Sequence, residues 1–177
     1  MARVSAVLAG ALASLSFAVP VRAATQGCEA FKSSMLRDSG DLKADFVRPL
    51  VVSRGAGSGL DSFDLVTIAK IDGVLRCQGD NFVNFEARIA TPAVSELLER
   101  FAHVQRAASM AVLGWTPARA ERSVREMEAE AADYLRASEE RGDVSIAGKV
   151  EEHEAGGVDL GLIWTKTDRT FIVLRNE

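Results

Sequence analysis

An α+β fold is what this sequence predicts: a short N-terminal helix, a mostly antiparallel sheet of five to six strands, and a helical hairpin inserted between strands 4 and 5. Three observations carry that prediction. Residues 45–89 show strand-like alternation broken by short turns, residues 91–142 carry two helical stripes each opened by Thr-Pro, and strand-like runs return in residues 144–175. Strands interrupted by two adjacent helices favour an antiparallel sheet with the helices laid on it.

The chain begins with an address. Arg3 gives a positive start, Val4 to Val19 is apolar and uncharged, Pro20 breaks the run, and Val21-Arg22-Ala23 places small residues at positions −3 and −1 of a cleavage site. That layout predicts a secretory signal peptide over residues 1–23, removed before Ala24, with residues 24–177 forming a single α+β domain. The apolar run is short for a bilayer, and no later segment approaches 18 uncharged apolar residues, so no stable membrane insertion is expected after cleavage. An alanine- and arginine-rich composition with this leader is of bacterial kind, and the expected location is periplasmic or secreted. Loss of Arg3 and Arg22 takes the formal charge from −4 to −6. An acidic chain without a Lys/Arg run opposes binding to nucleic acid or to an anionic membrane surface.

Residues 27–38 predict the first helix, with Cys28, Phe31 and Met35 on one face and Gly40 as its stop. Residues 45–52 predict a strand, placed at an edge by Pro49. Arg54 to Gly59 is glycine-rich but lacks both G-x-G-x-x-G and G-x-x-x-x-G-K spacing, so it predicts a loop rather than a phosphate cradle. Leu65–Ile71 and Val74–Gln78 flank Asp72-Gly73, which predicts a two-residue hairpin turn pairing Ile71 with Val74 and Ile68 with Cys77. Gly79-Asp80-Asn81 is a second turn, and Phe82–Ile89 a further strand with Val83, Phe85, Ala87 and Ile89 on one side, which completes a meander.

Thr91 and Thr116 predict the N-caps of two helices, with Pro92 and Pro117 at the first helical position. The first helix carries a stripe of Val94, Leu97, Leu98, Phe101, Val104, Ala108 and Val112 and ends at Gly114. The second carries Ala120, Val124, Met127, Ala131, Tyr134 and Leu135, with Glu121–Arg125 and Arg122–Glu126 at i,i+4 spacing, and closes at Gly142. Val144–Glu152 is a weak strand. Val158–Thr165 and Thr170–Arg175 predict a hairpin around Thr167-Asp168 that pairs Trp164 with Phe171 and Leu162 with Val173. Its two apolar faces predict a central position covered on both sides.

Few residues offer chemistry. In an oxidising compartment Cys28 and Cys77 are a candidate disulfide, since the first helix and the hairpin each turn a cysteine toward the core; two unpaired buried cysteines are the alternative. The residues before Cys28 do not form a lipobox. His103 points away from its helix's apolar stripe, and His153 lies in a charged segment where Glu151 would share its face; neither has metal-site spacing, so no metal and no cofactor is expected. Asp61, Asp64, Asp80 and Glu86 are carboxylates without a signature, and Ser58 and Ser62 lack a nucleophile-elbow motif. Trp115 sits between the helices, either as a hydrophobic staple or as an exposed contact for a partner.

Two functions stay open on these grounds. One is a non-catalytic exported module that binds a protein, an envelope component or a small ligand. The other is a small hydrolase that uses a carboxylate pair on an envelope polymer and needs no histidine. The scarcity of histidine and the failure of each catalytic motif on spacing favour the first.

Overall fold

The computed structural model describes residues 27–49, 59–142, 149–154 and 156–176. The leader, most of the glycine-rich loop with Ser58, and residues 144–148 of the weak strand lie outside the described residues. The chain orders its elements as α1 (Cys28–Asp38), a 3₁₀ turn (Gly40–Leu42), β1 (Asp45–Val47), β2 (Asp61–Val66), β3 (Asp72–Gln78), β4 (Asn81–Ala90), α2 (Ser95–Leu113), α3 (Pro117–Glu140), β5 (Lys149–Glu154), β6 (Val158–Trp164) and β7 (Asp168–Arg175). The α+β architecture is as predicted, with the helical hairpin between β4 and β5. The sheet has seven strands once the three-residue β1 is counted, in the order β1-β2-β3-β4-β7-β6-β5, with every neighbouring pair antiparallel.

Alternation along the strands sets the core. Register aligns Phe63, Leu75, Phe85, Val173 and Leu160 across the sheet, and Leu65, Ala87, Phe171 and Leu162 in the next row. All but the half-buried Phe63 are shielded from water, beneath helices whose own buried faces include Phe31, Met35, Phe101, Val104 and Met127. The described helices pack on this one face. The opposite face of the C-terminal hairpin is therefore half-open: Ile163 and Ile172 are only partly buried, against the expectation of cover on both sides. Both strands of this hairpin are interior, flanked by β4 on one side and β5 on the other.

Cys28 and Cys77 form a disulfide, with Cα atoms 6.1 Å apart and a sequence separation of 49. Both sulfurs lie in the core layer between α1 and the sheet. The chain enters α1 through a bridge from Gly27 to Asn81, and the Cys28 amide donates to the Asp80 carbonyl, so backbone contacts and the bridge fix the same junction.

Four local predictions fail. Asp72-Gly73 is not the turn between β2 and β3. Leu65 pairs with Gly73, so residues 67–71 form the loop and Asp72 begins β3. Ile71 is drawn into the core and the Ile68 amide donates to the Leu42 carbonyl at 3.1 Å, which holds the wider loop and leaves the Ile68 side chain 58% exposed. Gly73 serves close approach: a Cβ there would lie 2.8 Å from Leu65 Cβ and 3.2 Å from the Glu86 carbonyl oxygen. Gly73→Ala is expected to cost about 1–3 kcal/mol through overpacking, read as a lower denaturant midpoint.

The second failure is in β4, where the register shifts between Arg76 and Cys77; Cys77 pairs with Phe82 and Arg76 with Asn84. Val83 becomes the extra residue of a bulge, so Phe82 rather than Val83 joins Phe85 in the core. Third, α2 begins at Ser95 with Val94 at its cap position, not at Thr91. Thr91 is held elsewhere: its amide donates to the Thr167 carbonyl and its hydroxyl to the Lys166 carbonyl. Fourth, the C-terminal hairpin is shifted by two residues, pairing Trp164 with Arg169 and Leu162 with Phe171, which leaves each side chain on its predicted face. Thr116-Pro117 does open α3, with the Thr116 hydroxyl accepting from the Arg119 amide, and left-handed Gly114 ends α2.

Candidate functional site

The row through Phe63, Leu75, Phe85, Val173 and Leu160 continues one strand further, and the next partner is Glu152 on β5. A carboxyl thus occupies the position where the core row runs out at the sheet edge. Above it lies α3, whose Ser123 is buried and donates its hydroxyl to Glu152 Oε2 at 2.9 Å. Two residues along the strand, Glu154 accepts from Arg119 of α3 at 2.9 Å. Arg122 and Glu126 complete a polar cleft of about 240 Å³ between α3 and β5.

Trp115 forms an inner wall of this cleft. It precedes the α3 cap and is 8% exposed, and the Arg119 guanidinium lies 4.4 Å from its ring centroid. Arg119 thereby joins the indole to Glu154 through a cation–π contact on one side and an ion pair on the other. Glu152 differs. Burial pushes its carboxyl above the usual carboxylate range, and repulsion from Glu154, Glu126 and Glu130 adds to this, while the Ser123 hydrogen bond opposes it.

A second raised carboxyl lies between α2 and α3. Glu128 accepts from the fully buried Gln105 Nε2 at 3.3 Å, and desolvation lifts it despite that bond and the charges of Arg169 and Arg106. Arg169 lies over the Trp164 ring at 3.7 Å, and burial pulls its guanidinium down, an effect that Glu128 opposes. Protons bind Glu152 and Glu128 more tightly in the folded than in the unfolded chain. Their contribution to stability is therefore complete below the unfolded carboxylate pKa, about 4.3, and is lost as pH rises through the folded values. The denaturant midpoint is expected to gain from these two groups as pH falls from neutrality toward the unfolded carboxylate value, and a double E128Q/E152Q variant is expected to lose that gain.

The residues singled out from sequence are dispersed. His103 is not a free surface imidazole: its Nε2 donates to the Asp38 carbonyl at 2.9 Å and Nδ1 lies 3.6 Å from Asp41, tying α2 to the end of α1. His153 pairs through its backbone with Asp159 on β6. Asp80 caps α1, Asp61 lies 3.6 Å from Arg48, and Asp64 and Glu86 are separated by β3; these carboxylates do not converge. Ser62 stands on β2 opposite Arg76. No group of three His, Cys, Asp or Glu suited to a metal ion occurs among the described residues. Glu152 and Glu154 were legible as a pair, because alternate residues of a strand share a face, but attention to His153 selects the opposite phase.

Other concavities occur among the described residues. An apolar groove of about 450 Å³ lies between the β2–β3 loop and the start of α2, where Val94 is 70% exposed. Another of about 380 Å³ lies near Gln78, Asn81 and Arg175. No described helix is long and apolar enough to cross a membrane. No family model, curated protein or solved structure matches this chain.

Proposed function

We propose that this chain is an exported, non-catalytic binding module, periplasmic or secreted, whose α3–β5 cleft takes a ligand from a protein or envelope component. The observation that carries this is the cleft itself, in which carboxylates and guanidinium groups of both signs surround a buried indole edge without a nucleophile. Ser123 is the one hydroxyl there. It lies inside α3, where its neighbouring amides are engaged in the helix, so no oxyanion-stabilising N–H pair stands beside it. The leader of residues 1–23 and the Cys28–Cys77 bridge both support an oxidising destination.

One observation favours the second function, a carboxylate-dependent hydrolase of an envelope polymer. Two carboxyls stand two residues apart on β5, Glu152 hydrogen-bonded to Ser123 and pushed up by burial, Glu154 ion-paired with Arg119. Size favours binding, since about 240 Å³ is below the usual 300–1,000 Å³ of small-molecule sites and a polymer strand needs more. Capture from an envelope fraction decides between them. The wild-type chain is expected to retain a component that an R122E/E126R variant releases, with that component recovered intact. Capture that is indifferent to those substitutions contradicts the proposal. Cleavage of the component that stops in E152Q supports the hydrolase.

A further inference from the structure

We propose that the α3–β5 cleft binds a small zwitterion of α-amino acid chemistry, its ammonium against Glu152 and Glu126 and its carboxylate against Arg122. This rests on the binding function above and adds the class of ligand. The inference follows from which charges are matched. Arg119 and Glu154 neutralise each other at 2.9 Å, and the same guanidinium covers Trp115. Arg122, Glu126 and Glu152 make no ion pair among the described residues, yet all three line the same cleft.

The open state of Arg122 and Glu126 is notable because they stand one helical turn apart. Glu121 and Arg125 have the same i,i+4 spacing, one residue earlier on α3, and they pair at 3.6 Å. Arg122 and Glu126 have the opposite order, arginine before glutamate, which pairs less well on a helix, and both charges are left on the cleft. A ligand that displaces water from this cleft must meet one cation and two carboxyls that have no ion-pair partner among the described residues. An amine alone leaves Arg122 without a partner, and a carboxylate alone leaves both glutamates without one. An apolar ligand would desolvate all three without compensation. A polyanion would meet three glutamates. The volume corresponds to roughly eight waters' share of liquid, enough for an amino acid and too little for a folded peptide or several sugar rings.

Titration of the purified chain with alanine, ethylamine and acetate, followed by backbone amide shifts, tests this. Alanine is expected to give saturating shifts in residues 119–126 and 152–154, with ethylamine and acetate each weaker by about tenfold or more. Arg122→Ala and Glu152→Gln are each expected to weaken alanine by about tenfold. Both are mild changes, since Arg122 is exposed and a glutamine still accepts from Ser123; unchanged amide spectra elsewhere confirm the fold. Equal response to ethylamine and alanine overturns the zwitterion in favour of a simple cation site. No response to any of the three also overturns it. If envelope capture then still depends on Arg122 and Glu126, the binding function stands with a different ligand; if it does not, both fall.

Discussion

Phe31→Ala is expected to destabilise the fold by about 3–5 kcal/mol, the largest effect of any single truncation considered. Phe31 is fully buried on α1, with its ring centroid 4.9 Å from Phe82, 5.5 Å from Phe85 and 6.1 Å from Phe46. It therefore joins the N-terminal helix to the edge strand β1 and to β4 at once. Removing the ring costs the transfer free energy of its atoms and leaves a cavity whose walls, held by the sheet on one side and α2 on the other, can collapse only partly. Urea denaturation reads the loss as a lower midpoint. A change below about 1 kcal/mol would mean that α1 is not packed on the sheet as described.

Reduction of Cys28–Cys77 ranks next, with an expected loss of about 2–4 kcal/mol. The bridge closes a long loop, so most of its effect comes from restricting the unfolded chain. Its position adds a second consequence. It staples α1 to β3 beside the Phe31 cluster, and Gly27 and Cys28 are already tied by backbone contacts to the Asp80–Asn81 turn. The wild-type midpoint is expected to fall in reductant, while a C28A/C77A variant is expected to start lower and to ignore reductant. A wild-type midpoint indifferent to reductant, with two thiols titratable after unfolding, would contradict the bridge.

Much of the architecture is legible in residue spacing, because its causes are local. The stripe of Cys28, Phe31 and Met35 defines α1, Thr116-Pro117 opens α3, and Gly114 supplies the left-handed stop that ends α2. Alternation also groups the side chains of the C-terminal hairpin by face even though its register is two residues away from the predicted one, since a shift of two preserves the face; that only one of the two apolar faces is covered is not legible in the alternation. What escapes a sequence reading is set by partners distant in the chain. Asp72-Gly73 has good turn chemistry, but the Leu42 carbonyl and the buried Ile71 hold a wider loop. Thr91 has good capping chemistry, but its polar groups are taken by the Lys166 and Thr167 carbonyls.

The helical stripes show the same limit. Gln105 and Ser109 are buried on α2 although both are polar, with the Ser109 hydroxyl donating to the Gln105 carbonyl, while the apolar Val94 stands in solvent. Tyr134, counted in the α3 stripe, is half-exposed and Ser138 is buried in its place. The cleft was the least legible feature. Glu152 becomes chemically distinct only because β5 pairs with β6 and brings a core row to an end beneath Ser123, a contact across 29 residues of sequence. Trp115 is buried just before α3, and its remaining surface borders the cleft.

Binding at that cleft without chemistry is most directly measured by following the cleft amides and the ligand in one sample. The purified chain is incubated with an envelope extract while amide shifts and the extract's composition are recorded together. Saturable shifts confined to residues 115–126 and 152–154, lost in Arg122→Ala, with no new cleavage product, are the expected result. Cleavage products that vanish in Glu152→Gln, or shifts that leave the cleft untouched, would contradict it.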